Sequence, residues 1–192
     1  AGSGVDIINA GDGRNYVQAG DGDNRILTGA NADTVTGGSG NDIIYTGNGA
    51  DVINTGNGNN LVSSGKGADS ITLGSGKDKI ILDRDSAATV TGFDIAQDKL
   101  HLGSSILSST VSFVASGADT LVKAGKKVIA TLKNVVANSS VLSTAPLFTY
   151  TATDLGEISA AGNSTQATTI NDKGQVAGRA STALPLPPPN TT

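Results

Sequence analysis

The first 82 residues repeat a pattern of apolar and polar positions with a period of nine. Glycine stands at every ninth position from Gly2 to Gly74, and an Ile or Val follows each of these glycines six positions later. One large apolar side chain per unit cannot bury itself, so the units must stack on one another around a shared interior. The predicted core residues are Ile8, Val17, Ile26, Val35, Ile44, Ile53, Val62, Ile71 and Ile80.

The same period predicts alternating turns and short strands. A second glycine stands two residues after each first one, except at Asn31, and such spacing suits tight turns with positive φ. The β-branched residue then favours a strand. Two units per coil place equivalent strands 18 residues apart in sequence and about 4.8 Å apart in space. The predicted fold is all-β: a parallel β-roll, that is, a two-sheet solenoid of nine nonapeptide repeats. A small antiparallel β region and an extended tail follow it.

The fifth position of every unit carries Asp or Asn. Stacking divides these residues between two rows of turns, which we call the first and second edges. The first edge carries Asp6, Asn24, Asp42, Asn60 and Asp78, and the second edge carries Asn15, Asp33, Asp51 and Asp69. Carboxylates about 5 Å apart in neighbouring coils repel each other by roughly 1–3 kcal/mol per pair, and a cation between them reverses the sign. Carboxylate and carbonyl oxygens select a hard cation and suit Ca²⁺ better than Mg²⁺. The alternative is a metal-free spiral held by Asp and Asn turn bonding.

These units resemble the nonapeptide repeats of the RTX (repeats-in-toxin) family, Gly-Gly-x-Gly-x-Asp-x-(apolar)-x. The resemblance implies several Ca²⁺ ions held between coils by the aspartates, by the asparagines as uncharged carbonyl donors, and by turn carbonyls. It also implies tighter binding on the second edge than on the first, where asparagine interrupts the carboxylates. The first glycine of the family doublet is present only at Gly37. The implied carbonyl ligands are Gly2, Gly4, Gly11, Gly13, Gly20, Gly22, Gly29, Gly38, Gly40, Gly47, Gly49, Gly56, Gly58, Gly65, Gly67, Gly74 and Gly76.

Composition excludes several other classes. Glycine makes up 26 of 192 residues, about twice its usual share, and cysteine, methionine and tryptophan are absent. Without cysteine there is no disulfide framework or thiolate metal site, and the single histidine, His101, excludes sites that need two imidazoles. Residues 1–82 hold nine Asp against five Arg or Lys, so the whole net charge of −4 lies in the repeats. That charge favours a metal over nucleic acid. No apolar run predicts a membrane span.

The remaining chain divides into three predicted segments. Residues 83–149 form capping strands and a small antiparallel domain, with strands around Val111–Ala115, Thr120–Lys123 and Val128–Leu132. Residues 150–180 resemble one extracellular HAF repeat, through Asp154-Leu155-Gly156 and Ile170-Asn171-Asp172-Lys173-Gly174-Gln175-Val176-Ala177-Gly178. Residues 181–192 form a proline-rich extended tail. The absence of methionine suggests a processed chain or a fragment.

Three functions fit these features, and none is enzymatic, since no catalytic constellation is evident. The favoured one is an extracellular, calcium-dependent structural protein of a bacterial surface: a filament, surface-layer or adhesin subunit. The first coil lacks a cap, so we expect a homopolymer joined through it or through the C-terminal tail. The second is the C-terminal calcium-binding secretion and stability module of a secreted hydrolase. The third is an ice- or surface-binding β-roll, which would need a regular threonine row; Thr28, Thr46 and Thr55 at the ninth position form only an interrupted one.

Overall fold

A computed structural model describes residues 1–143, 165–170 and 176–180. The chain divides into two compact units, residues 1–148 and 149–192. In the second unit, two strands, Thr165–Ile170 and Val176–Ala180, form an antiparallel pair. Most of the predicted HAF-like segment and the whole proline-rich tail lie outside the described residues.

The first unit is a flattened parallel β-solenoid of about five turns. Its strands alternate between two sheets, as the two-units-per-coil pattern predicts, and the predicted all-β parallel roll is confirmed. One sheet has the order β1-β3-β5-β7-β9-β11, and the other has the order β12-β13-β14-β10-β8-β6-β4-β2. The strands are β1 Ile7–Gly11, β2 Tyr16–Asp21, β3 Arg25–Thr28, β4 Thr34–Ser39, β5 Ile43–Tyr45, β6 Val52–Asn57, β7 Leu61–Ser63, β8 Ser70–Thr72, β9 Lys79–Leu82, β10 Ala88–Thr91, β11 Lys99–Leu102, β12 Val111–Ser116, β13 Asp119–Ala124 and β14 Lys127–Leu132.

The interior is built from the seventh-position residues of the repeat. Val35 pairs with Val17 on one side and Ile53 on the other, so equivalent strands are 18 residues apart. Eight of the nine predicted core residues are buried, while Ile8, in the first coil, is only partly buried against this cluster. Stacking of identical β-branched side chains thus fills the core without bulky aromatic residues.

The roll continues beyond the last nonapeptide. β10 pairs with β8, and β11 pairs with β9, both in parallel, so neither sheet breaks at the expected boundary after residue 82. The predicted antiparallel strands follow as β12, β13 and β14, and β14 joins the larger sheet beside β10. Short 3-10 turns at Ser108–Thr110 and Ser139–Val141 flank this hairpin region. None of the helices in the described ranges is long and apolar enough to cross a bilayer.

Candidate metal centre

The fifth-position side chains form a ladder along each edge of the roll. On the second edge, the backbone N–H groups of Asn15, Asp33 and Asp51 donate to Oδ1 of the fifth-position residue one coil later, at 2.7, 2.8 and 3.0 Å. The first edge repeats this arrangement from coil to coil at 2.8–3.1 Å. One side-chain oxygen per turn is therefore committed to holding neighbouring coils together.

Aspartate and asparagine at the fifth position differ in their second terminal side-chain atom, which is Oδ2 in aspartate and Nδ2 in asparagine. In five aspartates, Oδ2 is buried and accepts no hydrogen bond; these are Asp33, Asp42, Asp51, Asp69 and Asp78. Burying a carboxylate oxygen without a partner costs free energy, and a bound cation would offset that cost at each of these atoms. Asp6 differs because it is only half-buried and its Oδ2 accepts from the Gly2 N–H at 3.4 Å.

Asparagine satisfies the same position by itself. Nδ2 of Asn15 donates to the carbonyl oxygens of Gly11 and Gly13 at 2.8 and 3.0 Å. Nδ2 of Asn24 donates in the same way to Gly20 and Gly22, and Nδ2 of Asn60 donates to Gly56 and Gly58. Wherever a coil precedes, Oδ1 accepts its N–H in both kinds of turn. Oδ2 of an aspartate is the counterpart of this Nδ2, but it has no hydrogen to donate to the turn carbonyls.

Burial also shifts the pKa values of carboxyl groups at the aspartate turns. Burial raises the pKa of Asp42 and Asp51, and it raises the pKa of Asp78 from 3.8 to about 6. The neighbouring carboxylates of Asp33 and Asp69 also raise the pKa of Asp51. In the metal-free roll, the protein resists placing negative charge here.

The donor set fits a hard divalent cation. It consists of carboxylate and carbonyl oxygens only, which Ca²⁺ accepts in flexible geometry with six to eight ligands. Across the described ranges, no three Asp, Glu or His side chains cluster into a metal-binding group. Turn carbonyls would therefore supply much of the coordination, and each carboxylate would add charge.

The cap contains a fifth-position residue that sequence inspection missed. Asp98 is buried, its Oδ1 accepts from the Asp78 N–H at 2.9 Å, and its Oδ2 accepts from the Asp94 N–H at 2.8 Å. A signal was present, because Asp-Lys-Leu-His-Leu at 98–102 parallels Asp-Lys-Ile-Ile-Leu at 78–82. The offset of 20 residues instead of 18 hides it from a strict nine-residue search. The Asp98 N–H donates to the Asp94 carbonyl at 2.7 Å instead of to a later side chain, so the ladder ends at Asp98.

Three acidic residues outside the fifth position also bridge coils. Oδ1 of Asp12 accepts from the Ala30 N–H at 2.8 Å, and Oδ1 of Asp23 accepts from the Asn41 N–H at 2.6 Å. Oδ1 of Asp21 accepts from the Ser39 hydroxyl at 2.5 Å. All three bonds are exposed, so these residues bind coil to coil at the surface of the roll.

Comparison with protein families identifies the repeat. The family model for the RTX calcium-binding nonapeptide repeat (4 copies) matches residues 1–35, 27–62 and 55–86. Residues 1–86 belong to the RTX calcium-binding repeats. The matched RTX region contains every turn of both edges, and its end coincides with the start of β10 within two residues. No curated protein matches the chain.

Two solved structures are similar to the chain. One is a subunit of the mannuronan C5-epimerase from Azotobacter vinelandii, at 20% identity and a TM-score of 0.29, covering 80% of this chain and 94% of that subunit. The other is an extracellular lipase from Serratia marcescens, at 13% identity and a TM-score of 0.31. That match covers 70% of this chain and spans 40% of the lipase.

Proposed function

We propose that the RTX region is a calcium-dependent structural element that folds and becomes rigid when Ca²⁺ binds at its aspartate turns. The observation that carries the proposal is the set of five buried Oδ2 atoms without hydrogen-bond partners. The proposed charged ligands are Asp33, Asp51 and Asp69 on the second edge and Asp42 and Asp78 on the first. Turn carbonyls of the same units complete the coordination.

The energetics support a switch. A cation that binds only the folded roll stabilises it by RT ln(1 + [Ca²⁺]/Kd), which is about 1.4 kcal/mol per site at a tenfold excess over Kd. Five sites would contribute about 7 kcal/mol, which is comparable to the whole stability of a typical domain. Without the ion, the buried carboxylates oppose folding; with it, they favour folding.

We further propose that the protein acts outside the cell. RTX repeats occur in secreted proteins. Extracellular calcium modules bind their ion with Kd values of about 10⁻⁴–10⁻³ M, so such sites fill at millimolar concentration and stay empty at low intracellular concentration. The RTX region would remain incompletely folded until export and complete its folding afterwards.

Circular dichroism and calorimetry test this function. Titration of the chelated chain with CaCl₂ should increase the β signal and show uptake of several ions, whereas MgCl₂ at the same concentration should do so weakly. An unchanged spectrum after chelation, together with no heat of Ca²⁺ binding, would contradict the proposal.

Self-association is a separate part of the proposal. β1 and β2 are edge strands of the two sheets, and Ile7 and Val5 are among the most exposed large apolar residues described, at 81% and 76%. Exposed apolar side chains on strands at the margin of a sheet favour pairing with a further strand, and we propose that a second copy supplies it. Light scattering in calcium buffer tests it, and a monomer at every concentration would rule out a homopolymer.

The third candidate function loses the support it had from the threonine row. Thr28, Thr46 and Thr55 at the ninth position are buried, at 3%, 0% and 0% exposure. The Thr28 hydroxyl donates to the Thr46 carbonyl, and the Thr46 hydroxyl donates to the Ser64 carbonyl. These side chains bind coils to each other and cannot present a surface to ice.

A further inference from the structure

The asparagine turns and the aspartate turns have the same backbone contacts but differ in one atom. In both, Oδ1 accepts the N–H of the preceding coil. In an asparagine turn, the remaining atom is an amide nitrogen that donates to two turn carbonyls. In an aspartate turn, it is a buried oxygen with no partner.

We propose that the amide nitrogens of Asn15, Asn24 and Asn60 stand in for the cation, so that these three turns are complete without metal and do not bind it. This inference rests on the proposed calcium function. It replaces the expectation that these asparagines are weak ligands. A donor already lies where the ion would sit, and a divalent cation there would face two amide hydrogens.

The local charge agrees with this assignment. Asn24 and Asn60 are buried, at 2% and 1% exposure, and neither carries a charge at the fifth position to balance an ion. The Asn24 turn contains Asp21 and Asp23, but their Oδ1 atoms accept exposed hydrogen bonds from Ser39 and Asn41. Between Asn24 and Asn60 lies Asp42, whose buried Oδ2 has no hydrogen-bond partner. Along the first edge, turns with paired side-chain atoms thus alternate with turns that keep an unpaired carboxylate oxygen.

The arrangement also has a consequence for folding. The asparagine turns give the metal-free chain two fixed points on the first edge and one at the start of the second. From Asp33 onward, the second edge has none. Calcium would then order the second edge, while the first edge keeps part of its structure in chelator.

The test is a single substitution with a matched control. Asn60→Asp removes the amide donor and creates the same free Oδ2 that Asp42 and Asp78 carry. It should bind one more Ca²⁺ per chain than the wild type by calorimetry, and its thermal midpoint in chelator should fall by roughly 5–10 °C. Asn59→Asp is the control, because Asn59 is adjacent and exposed, and the charge change is identical. Asn59→Asp should bind the same number of Ca²⁺ ions as the wild type, and its thermal midpoint in chelator should be nearly unchanged.

Asp42→Asn provides the reverse change and does not depend on Asn60→Asp remaining folded. It should bind one ion fewer than the wild type and melt at a higher temperature in chelator. If Asn60→Asp gains no ion, or if Asp42→Asn melts no higher in chelator, the inference is overturned. A wild-type chain that binds no Ca²⁺ would overturn the proposed function instead. The chelator midpoints would still show whether the amide is a structural donor.

Discussion

The two edges of the roll are made from the same nonapeptide, yet they are completed in different ways. On the first edge, aspartate and asparagine alternate, so every second turn closes with its own amide. On the second edge, Asp33, Asp51 and Asp69 follow one another without interruption, and each has a free buried oxygen. Carboxylates in adjacent coils repel each other about twice as strongly as carboxylates two coils apart. One repeat therefore builds an edge in which every second turn is complete and an edge on which every carboxylate from Asp33 onward keeps an unpaired oxygen.

The ninth position sharpens the contrast. Beside the second edge it carries the buried hydroxyls of Thr28, Thr46 and Ser64. Beside the first edge it carries Ala19, Gly37, Thr55 and Leu73. The second edge thus has more polar groups around its carboxylates than the first edge has.

The largest expected effect comes from removing the second-edge charges. The triple variant Asp33→Asn, Asp51→Asn, Asp69→Asn should lose three ions and about 4 kcal/mol of calcium-dependent stabilisation. The double variant Asp42→Asn, Asp78→Asn should lose two ions and about 3 kcal/mol. Denaturant unfolding with and without Ca²⁺ measures both. If the two variants lost the same number of ions and the same calcium-dependent stabilisation, the two edges would not differ in calcium binding.

Glycine substitution probes what the edges share. Gly56 has φ of +76°, and a Cβ there would collide with the Gly38 carbonyl, so Gly56→Ala should cost about 3 kcal/mol or more with or without calcium. Gly65→Ala on the second edge should behave alike, because its Cβ would collide with the Gly47 carbonyl.

Gly11→Ala separates stacking from backbone strain. Its φ of +72° is nearly that of Gly56, but no atom lies within 4 Å of its would-be Cβ. We expect a cost of only about 1–2 kcal/mol, from the left-handed conformation alone. If Gly11→Ala and Gly56→Ala were equally destabilising in thermal unfolding, contact between coils would not be the cause.

The cap should contribute less than either edge. Asp98→Ala leaves the N–H groups of Asp78 and Asp94 without their acceptor, and we expect a loss of about 2–3 kcal/mol. Asp85→Ala is a suitable control. Asp85 forms ion pairs with Lys66 and Lys127 at 3.5 and 3.4 Å, and all three side chains are exposed, so its loss should change the urea midpoint little. Urea midpoints of the two variants would show whether the first edge depends on Asp98.

The smallest predicted effect is a pH dependence in chelator. The pKa of Asp78 is raised from 3.8 to about 6 in the folded chain, so the unfolded chain loses this proton first as pH rises. Stability is then greatest below pH of about 4 and declines between about 4 and 6. Asp78→Asn should flatten this decline, and saturating Ca²⁺ should reverse it. Thermal midpoints between pH 4 and pH 7 measure the effect, and a metal-free roll that gains stability over this range would contradict it.

Much of this architecture is readable from the nine-residue period alone. The spacing of Ile and Val predicts the core, and the 18-residue offset predicts the pairing of Val17 with Val35 and the division into two edges. The nine-residue period does not predict the coil that contains β10 and β11, because two extra residues lengthen the spacing between Asp78 and Asp98 from 18 to 20. The different roles of aspartate and asparagine cannot be read from the period either. They depend on which side-chain atom accepts the N–H of the neighbouring coil, and only the folded structure shows which atom that is.

The ladder along each edge has a direction along the chain. From Asp6 to Asn60 and from Asn15 to Asp51, each backbone N–H at the fifth position donates to a side chain that comes 18 residues later, and Asp78 donates to Asp98, 20 residues later. Removing coils from the C-terminal end therefore leaves an unsatisfied donor, whereas removing them from the N-terminal end leaves no unsatisfied donor on this ladder. Because synthesis runs from the N-terminus, the newest coil on the ribosome lacks its side-chain acceptors until the following coil has emerged.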